Sequence, residues 1–549
     1  MVAAMAINMP GWASSDPSTV AHKPRLVVVI SVDQLRRDRL THSHQAGLHR
    51  LASEGRNFPR GQLAHAISTT CPGHAAILTG VNPNKHGIVN NTFYDRSTGK
   101  VRYCVDDDDP SNRVLGGESL RSPRNLWSTT LGDWLKKRNA AHKVFSIAGK
   151  DRAAITLGGH QPNGVLWFDR NQGRFTSSQY YYSSLPSYVQ AFNGSEPTVD
   201  GFMRHFPEFW HHPAGTLRAD DFPGEDPKFE TISGHPLRTG PARVSAAGVY
   251  ASPFLDQATL ELARITVTEE QLGRDQYTDL LALGLSATDT VGHLYGPRSA
   301  EAEDALTKLD IALGQFLDFL DASVGRDHYW VVLTADHGVA ELPEHAEAKG
   351  TLACDSASGR LTPQSLFIGL YWHLYKTFTW PIGDPRELVD VAGGHLVINP
   401  EVARRYGTTR AEVSDTLITY LESFPEIDQV WPVDRLAKHD SALAQRFRAS
   451  YVPSRSGDFA IMMSHGCLIG EFGTTHGSAH DYDIDIPLLF YGTGITPGEV
   501  LSDAYSIDIA PTLAAALGLV PDQSLDGKEL PLTGPTDGSA SMEDPELSL

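Results

Sequence analysis

The stretch Leu26-Val27-Val28-Val29-Ile30-Ser31-Val32-Asp33 decides the fold. It is apolar and rich in β-branched residues, with no polar alternation, so it reads as a strand buried on both faces that ends on an acid. Two later runs repeat the pattern. Leu280 to Thr288 leads into Asp289, with His293 four residues on, and Trp330 to Ala335 leads into Asp336-His337. Parallel sheets present functional groups at the carboxyl ends of their strands. With His476 in Thr474-Thr475-His476-Gly477-Ser478, these positions supply three carboxylates and three imidazoles. Gathered at one sheet edge, such a set holds two divalent metals, and mixed nitrogen and oxygen ligation suits zinc.

Working outward, strand-like and helix-like segments alternate. Arg36 to Glu54 reads as a helix with Leu40, Leu48 and Leu51 on one face, and Thr70 to Gly80 as another with Pro72 in its first turn. A helix from Trp127 to Lys137 precedes a strand from His142 to Ala148. Strands over Tyr277–Ser286 and Tyr329–Ala335 bracket a helix over Glu301–Leu320. A late strand, Ile486–Tyr491, precedes a closing helix that opens at Ser506. This alternation predicts an α/β fold with a largely parallel central sheet and helices on both faces. Two regions break the rhythm, 158–253 and 354–459, the first rich in aromatic residues; both read as inserted caps over the sheet edge. The expected division is an N-terminal tail or signal remnant over 1–24, a catalytic domain over 25–533 carrying both insertions, and a polar tail over 534–549.

Composition narrows the class. The 549 residues include 46 basic and 66 acidic side chains, a net charge of -20. That argues against nucleic acid as the main partner, because its binders carry basic patches. No segment is long and apolar enough to span a bilayer. Val2 to Ile7 resembles the end of a signal h-region without a basic n-region. Of the four cysteines, Cys71, Cys104, Cys354 and Cys467, none forms a CxxC pair; Cys71 is expected to bond to Cys104, which requires an oxidising compartment. The acid run Asp106 to Asp109 is a candidate oxygen-rich calcium site, with a solvated loop as the plainer reading.

Thr70 opens its helix, where free N–H groups and the helix dipole favour an alkoxide and a phosphoryl oxygen. Thr69 competes with it for that role, and His74 reads as a structural histidine. Several motifs now converge: Val32-Asp33, Thr70-Cys71-Pro72-Gly73-His74, His86-Gly87-Ile88-Val89-Asn90-Asn91, Asp289-Thr290-Val291-Gly292-His293, Asp336-His337-Gly338, Thr475-His476-Gly477 and Asp508-Ile509-Ala510-Pro511-Thr512. In this order the chain resembles the alkaline phosphatase superfamily, in particular its phosphate-irrepressible alkaline phosphatases and the related nucleotide pyrophosphatase/phosphodiesterases. The resemblance implies two zinc ions, one held by Asp289, His293 and His476, the other by Asp33, Thr70, Asp336 and His337. It also implies Thr70 as the nucleophile, a phosphothreonine intermediate hydrolysed with inversion at each step, and export to the periplasm or medium.

The same resemblance separates monoesters from diesters. Lys150 and Arg152, in Gly149-Lys150-Asp151-Arg152, match the Lys-x-Arg element of the monoesterases, and Asn91 matches their phosphate-binding asparagine. A monoester dianion exposes more charge than a diester, so added cationic donors favour it. The expected function is hydrolysis of small-molecule phosphate monoesters over a broad range. The alternative is a phosphodiesterase or nucleotide pyrophosphatase on the same core. The nucleophile position carries Thr69-Thr70-Cys71 rather than the Asp-Ser-Ala of serine-nucleophile phosphatases, and the Cys-x-Pro-x-Arg motif of sulfatases is absent.

Overall fold

A computed structural model describes residues 23–40, 44–238, 244–356, 358–379, 383–392 and 395–537. Most of the expected N-terminal tail, and the C-terminal tail from residue 538, lie outside the described residues. The centre is a nine-stranded sheet. In chain order its strands are β1 (Leu26–Val32), β2 (Arg56–Asn57), β3 (Val144–Ala148), β4 (Gly164–Asp169), β5 (Arg174–Thr176), β6 (Asp279–Leu285), β7 (Tyr329–Thr334), β8 (Leu488–Gly492) and β9 (Gly498–Glu499). Their spatial order is β9-β2-β8-β7-β1-β6-β3-β4-β5. The five strands from β7 to β4 run parallel. The late strand β8 runs antiparallel to β7, as does β5 to β4.

The apolar character of β1 follows from its central position. Leu26, Val28, Ile30 and Val32 enter one core cluster, and Val27 and Val29 the other. Successive side chains point to opposite faces, and both faces are covered. The helices Phe254–Glu269 and Ala300–Ser323 cover one face, and Leu131–Arg138 and Ile509–Leu517 cover the other. Register then sets the functional edge. Val32 pairs with Leu285 and Ser31 with Thr334, so the residues that follow β1, β6 and β7 emerge together.

Local differences from the sequence reading have physical causes. The long helix expected over Arg36–Glu54 is a short 3-10 turn, Arg37–Arg39, followed by a helix only over Gly47–Glu54. Asp310 accepts bonds from the backbone N–H groups of Gln45, Ala46 and Leu48, so the helix begins there. The helix expected from Trp127 starts at Leu131, fixed by a capping box in which Thr130 and Asp133 satisfy each other's backbone. The region 158–253 does not stand apart as a cap. It contributes β4 and β5 to the central sheet, and its Phe168, Phe175 and Trp210 belong to the main core.

The region 354–459 has a core of its own, centred on Leu370, Leu388, Val413, Leu417 and Val430. Two antiparallel strand pairs build it, Val389–Ala392 with His395–Ile398 and Ile427–Pro432 with Phe459–Met463. Both disulfides form, Cys71–Cys104 as expected and Cys354–Cys467, which the sequence did not suggest. No helix among the described residues is long and apolar enough to cross a membrane.

Candidate metal centre

Each strand-end acid reaches the functional edge through its own connection. Asp33 follows β1 directly and is fully buried, and its N–H donates to the Leu285 carbonyl at 2.8 Å. Asp289 and His293 lie one turn apart on the helix Ala287–Tyr295, which starts just after β6. Asp336 and His337 follow β7 and are fully buried. His476 arrives from a loop far along the chain.

These residues form two half-sites. In one, Asp289 Oδ1 lies 3.3 Å from His293 Nε2 and 3.5 Å from His476 Nε2, and the two Nε2 atoms are 3.2 Å apart. In the other, His337 Nε2 is 3.5 Å from Asp33 Oδ1 and 3.2 Å from Asp336 Oδ2. In all three histidines Nδ1 faces a backbone carbonyl, those of Thr474, Ser68 and Gly338, at 2.7, 2.7 and 2.9 Å. A donor at Nδ1 turns the Nε2 lone pair inward, the arrangement that outer hydrogen bonds impose on metal-bound imidazoles.

The electrostatics fit divalent cations. Burial, and then the charge of Asp336, pushes the Asp33 carboxyl well above its ordinary range, against the pull of Lys150. Burial also holds His337 neutral, its pKa pushed down to about 3, which is the ligand form. Its Nε2 has no hydrogen-bond partner although the ring is fully buried. Three buried carboxylates face a single buried ammonium, that of Lys150, 2.6 Å from both Asp33 Oδ2 and Asp289 Oδ2. Buried charge of one sign is costly without counter-charge, and the donor set of three Asp and three His is one that zinc accepts.

Thr70 begins the helix Thr70–Thr79, and the carbonyl of Ser68, two residues before it, faces His476 Nδ1. His74, one turn on, sits 3.0 Å from Asp336 Oδ2 through Nδ1 and 2.9 Å from the Thr70 carbonyl. Gly73 permits this approach, since a Cβ there would lie 2.2 Å from the Asp336 carbonyl oxygen. The Thr70 hydroxyl is 3.4 Å from Arg152 Nη2. The Thr69 hydroxyl instead donates to Asn90 Oδ1 at 2.9 Å. Asn91 Oδ1 accepts from the Cys71 N–H at 2.8 Å, which leaves its Nδ2 as the donor end. Arg152 is braced by the Tyr103 hydroxyl at 3.3 Å, which donates to Asp151 at 2.6 Å.

Arg152 thus reaches the Thr70 hydroxyl and Asn91 the N–H of the next residue, whereas Lys150 engages two carboxylates of the metal-type cluster, Asp33 and Asp289. Sequence reasoning missed Gln34 and read His74 only as a structural histidine. His74 orients Asp336. Gln34 links the half-sites, its N–H donating to Asp336 Oδ1 at 3.1 Å and its Nε2 to Asp289 Oδ1 at 3.0 Å. The signal for Gln34 was Gly292, where a Cβ would fall 1.9 Å from Gln34 Oε1.

A cavity of about 340 Å³ opens beside Thr69, Asn90 and His476, with His395, Tyr451 and Phe459 on its far wall. The acid run 106–109 does not converge on one point. Asp106 pairs with Arg121, Asp108 with Arg102, Asp107 accepts from Asn112, and Asp109 caps Ser111. This is the arrangement of the plainer loop reading, in which each carboxylate has its own cation or donor.

The chain matches, over residues 27–483, the family described as type I phosphodiesterase / nucleotide pyrophosphatase. It is 34% identical to the alkaline phosphatase PhoK of a Sphingomonas species, covering 95% of this chain and 94% of that protein. It is 30% identical to the alkaline phosphatase PafA of Elizabethkingia meningoseptica over 92% of this chain and 94% of that protein. A crystal structure of PafA bearing substitutions at a threonine, an asparagine, a lysine and an arginine superposes with a TM-score of 0.84 at 30% identity, covering 93% of this chain and 99% of that one. Murine ectonucleotide pyrophosphatase / phosphodiesterase 5 shares the fold, with a TM-score of 0.53 at 15% identity over 91% of this chain and 97% of that one. The protein belongs to the type I phosphodiesterase / nucleotide pyrophosphatase family of the alkaline phosphatase superfamily.

Proposed function

We propose that the protein is an exported two-zinc alkaline phosphatase that hydrolyses small phosphate monoesters through a phosphothreonine at Thr70. The observation that carries this reading is the position of the Thr70 hydroxyl. It lies at a helix N-terminus, 3.4 Å from the Arg152 guanidinium, and the N–H of the next residue, Cys71, donates to Asn91. When bound, the two ions supply Lewis-acid charge for the entering and leaving oxygens. Asp289, His293 and His476 would hold one, and Asp33, Asp336, His337 and Thr70 the other.

The chain's own groups account for the rest. Thr70 Oγ1 gives up its proton and bonds to phosphorus as the alcohol leaves; water then cleaves the new bond and restores the threonine. Arg152, Asn91 Nδ2 and Lys150 would meet the non-bridging oxygens. Thr69, with its hydroxyl committed to Asn90, takes no part. The cavity beside Thr69 and His476 receives the alcohol portion, and its mixed walls suit a broad range of esters. Residues 25–533 form the catalytic domain, and 354–459 is an insertion that walls this cavity. Two disulfides suit an oxidising compartment, so the periplasm or the medium is the expected location.

A second reading, phosphodiesterase or pyrophosphatase activity, draws on the family's description and the shared core. The paired cations Lys150 and Arg152 at the nucleophile favour the dianion instead. Configuration at phosphorus tests the covalent route. Two in-line displacements predict net retention when an isotopically chiral phosphate ester transfers its phosphoryl group to an acceptor alcohol, and net inversion would remove the phosphothreonine.

A further inference from the structure

A third cluster, which shares no residue with the first two, has the same construction. His212 Nε2 and His235 Nε2 are 3.0 Å apart, and Glu301 Oε1 lies 3.3 Å from His235 Nε2 and 3.7 Å from His212 Nε2. The side chains of His212 and Glu301 are fully buried and that of His235 nearly so. The triangle in the Asp289 half-site measures 3.3, 3.5 and 3.2 Å. An ion with tetrahedral ligands at the usual zinc distances holds those atoms roughly 3.3 Å apart, so both triangles are of the size one ion spans.

The tautomers agree. His212 Nδ1 faces the Pro213 carbonyl at 2.9 Å, and His235 Nδ1 faces the Phe229 carbonyl at 3.0 Å. Protons held there leave both Nε2 lone pairs turned toward each other and toward the carboxylate. Neither oxygen of Glu301 has a hydrogen-bond partner. Two facing lone pairs and an unpartnered buried carboxylate repel one another without a cation between them. Trp210 packs against both imidazoles, with ring centroids 5.8 and 5.1 Å away, and its indole N–H is committed to Asp304.

The geometry points to a third metal site, a zinc-type ion held by His212, His235 and Glu301, with structural rather than catalytic work. Two imidazoles and a carboxylate leave a fourth position for the second Glu301 oxygen or a water. The ion pins the strand pair Phe209–Trp210 and His235–Pro236 to the helix Ala300–Ser323. Through the Tyr295 hydroxyl, 3.2 Å from His235 Nδ1, it also steadies the end of the helix that carries Asp289 and His293.

The test compares wild type with Glu301→Gln, each saturated with zinc, freed of excess by gel filtration and analysed for bound metal. The expected result is one equivalent fewer in the variant, a lower Tm, and monoester turnover retained at the metals that remain. Because the difference between two proteins is read, failure of the catalytic reading and failure of this one are distinguishable. Equal zinc content in the two proteins overturns the site. Should the variant not fold, anomalous scattering at the zinc edge from wild-type crystals decides: a peak inside the His212–His235–Glu301 triangle supports the site, and its absence there overturns it.

Discussion

Replacing Arg152 by alanine separates a monoesterase from a diesterase. Its Nη2 lies 3.4 Å from Thr70 Oγ1, so phosphorus bonded to that oxygen brings its non-bridging oxygens within reach of the guanidinium. A unit charge pair about 4 Å apart is worth roughly 4 kcal/mol at an effective dielectric of 20. A monoester dianion carries one more negative charge than a diester, shared among three oxygens. The guanidinium therefore discriminates by between about a third of that energy and all of it, roughly 10- to 10³-fold in kcat/KM. The brace around it, Tyr103 on Asp151 and Asp151 on Arg121, stays in place when the side chain is cut back. The assay is kcat/KM for nitrophenyl phosphate and for its bis-ester, on wild type and variant with matched zinc content. Monoester activity should fall by that factor more than diester activity. Equal losses on both substrates would refute the assignment of Arg152 to the extra charge.

Other perturbations probe different parts of the account. Lys150→Ala leaves Asp33 and Asp289 without their ammonium, and breaking a buried pair costs about 3–5 kcal/mol, so chelation should lower the variant's Tm much more than that of wild type; equal shifts on chelation contradict the role drawn for Lys150. In Gly292→Ala the new Cβ meets Gln34 Oε1, which displaces the donor that holds Asp289. Zinc affinity measured by competition should drop by roughly 10- to 100-fold, as for lost outer-layer ligand contacts. His65 is fully buried with both ring nitrogens unpartnered, and burial depresses its pKa to about 3. The unfolded chain takes up that proton below its ordinary pKa of 6.5 and the native chain does not, so this stability is present above pH 6.5 and is lost toward pH 3. Urea midpoints from pH 7.5 to 5 should fall, and His65→Gln should flatten the slope by up to about 1.4 kcal/mol per pH unit; an unchanged slope contradicts the buried neutral imidazole.

The parts that could be read from the sequence were those whose signal is local. A continuous apolar run ending in an acid marks a buried parallel strand, so β1, β6 and β7 and the acids after them were legible, and register alone then brings Asp33, Asp289 and Asp336 together. What was illegible depends on contacts between distant segments. Helix-like spacing over Arg36–Glu54 gave no hint that Asp310 caps the chain at Ala46. The strands β4 and β5 lie in a region whose aromatic richness suggested a separate cap. Gln34 carries no motif of its own, His74 lies in one without a sign of its partner, and their contacts appear only once Asp289 and Asp336 stand beside them. His212, His235 and Glu301 are spread over some ninety residues without a shared pattern, and only the fold makes them neighbours.

The central claim is tested most directly on one preparation of defined metal content, assayed with a phosphate monoester, the matching diester and a sulfate ester before chelation, after it, and after zinc is restored. The account predicts that the monoester has the highest kcat/KM, that its turnover is lost with the metal, and that it returns with zinc. Diester turnover equal to or above that of the monoester, or full activity in the metal-free protein, would contradict it.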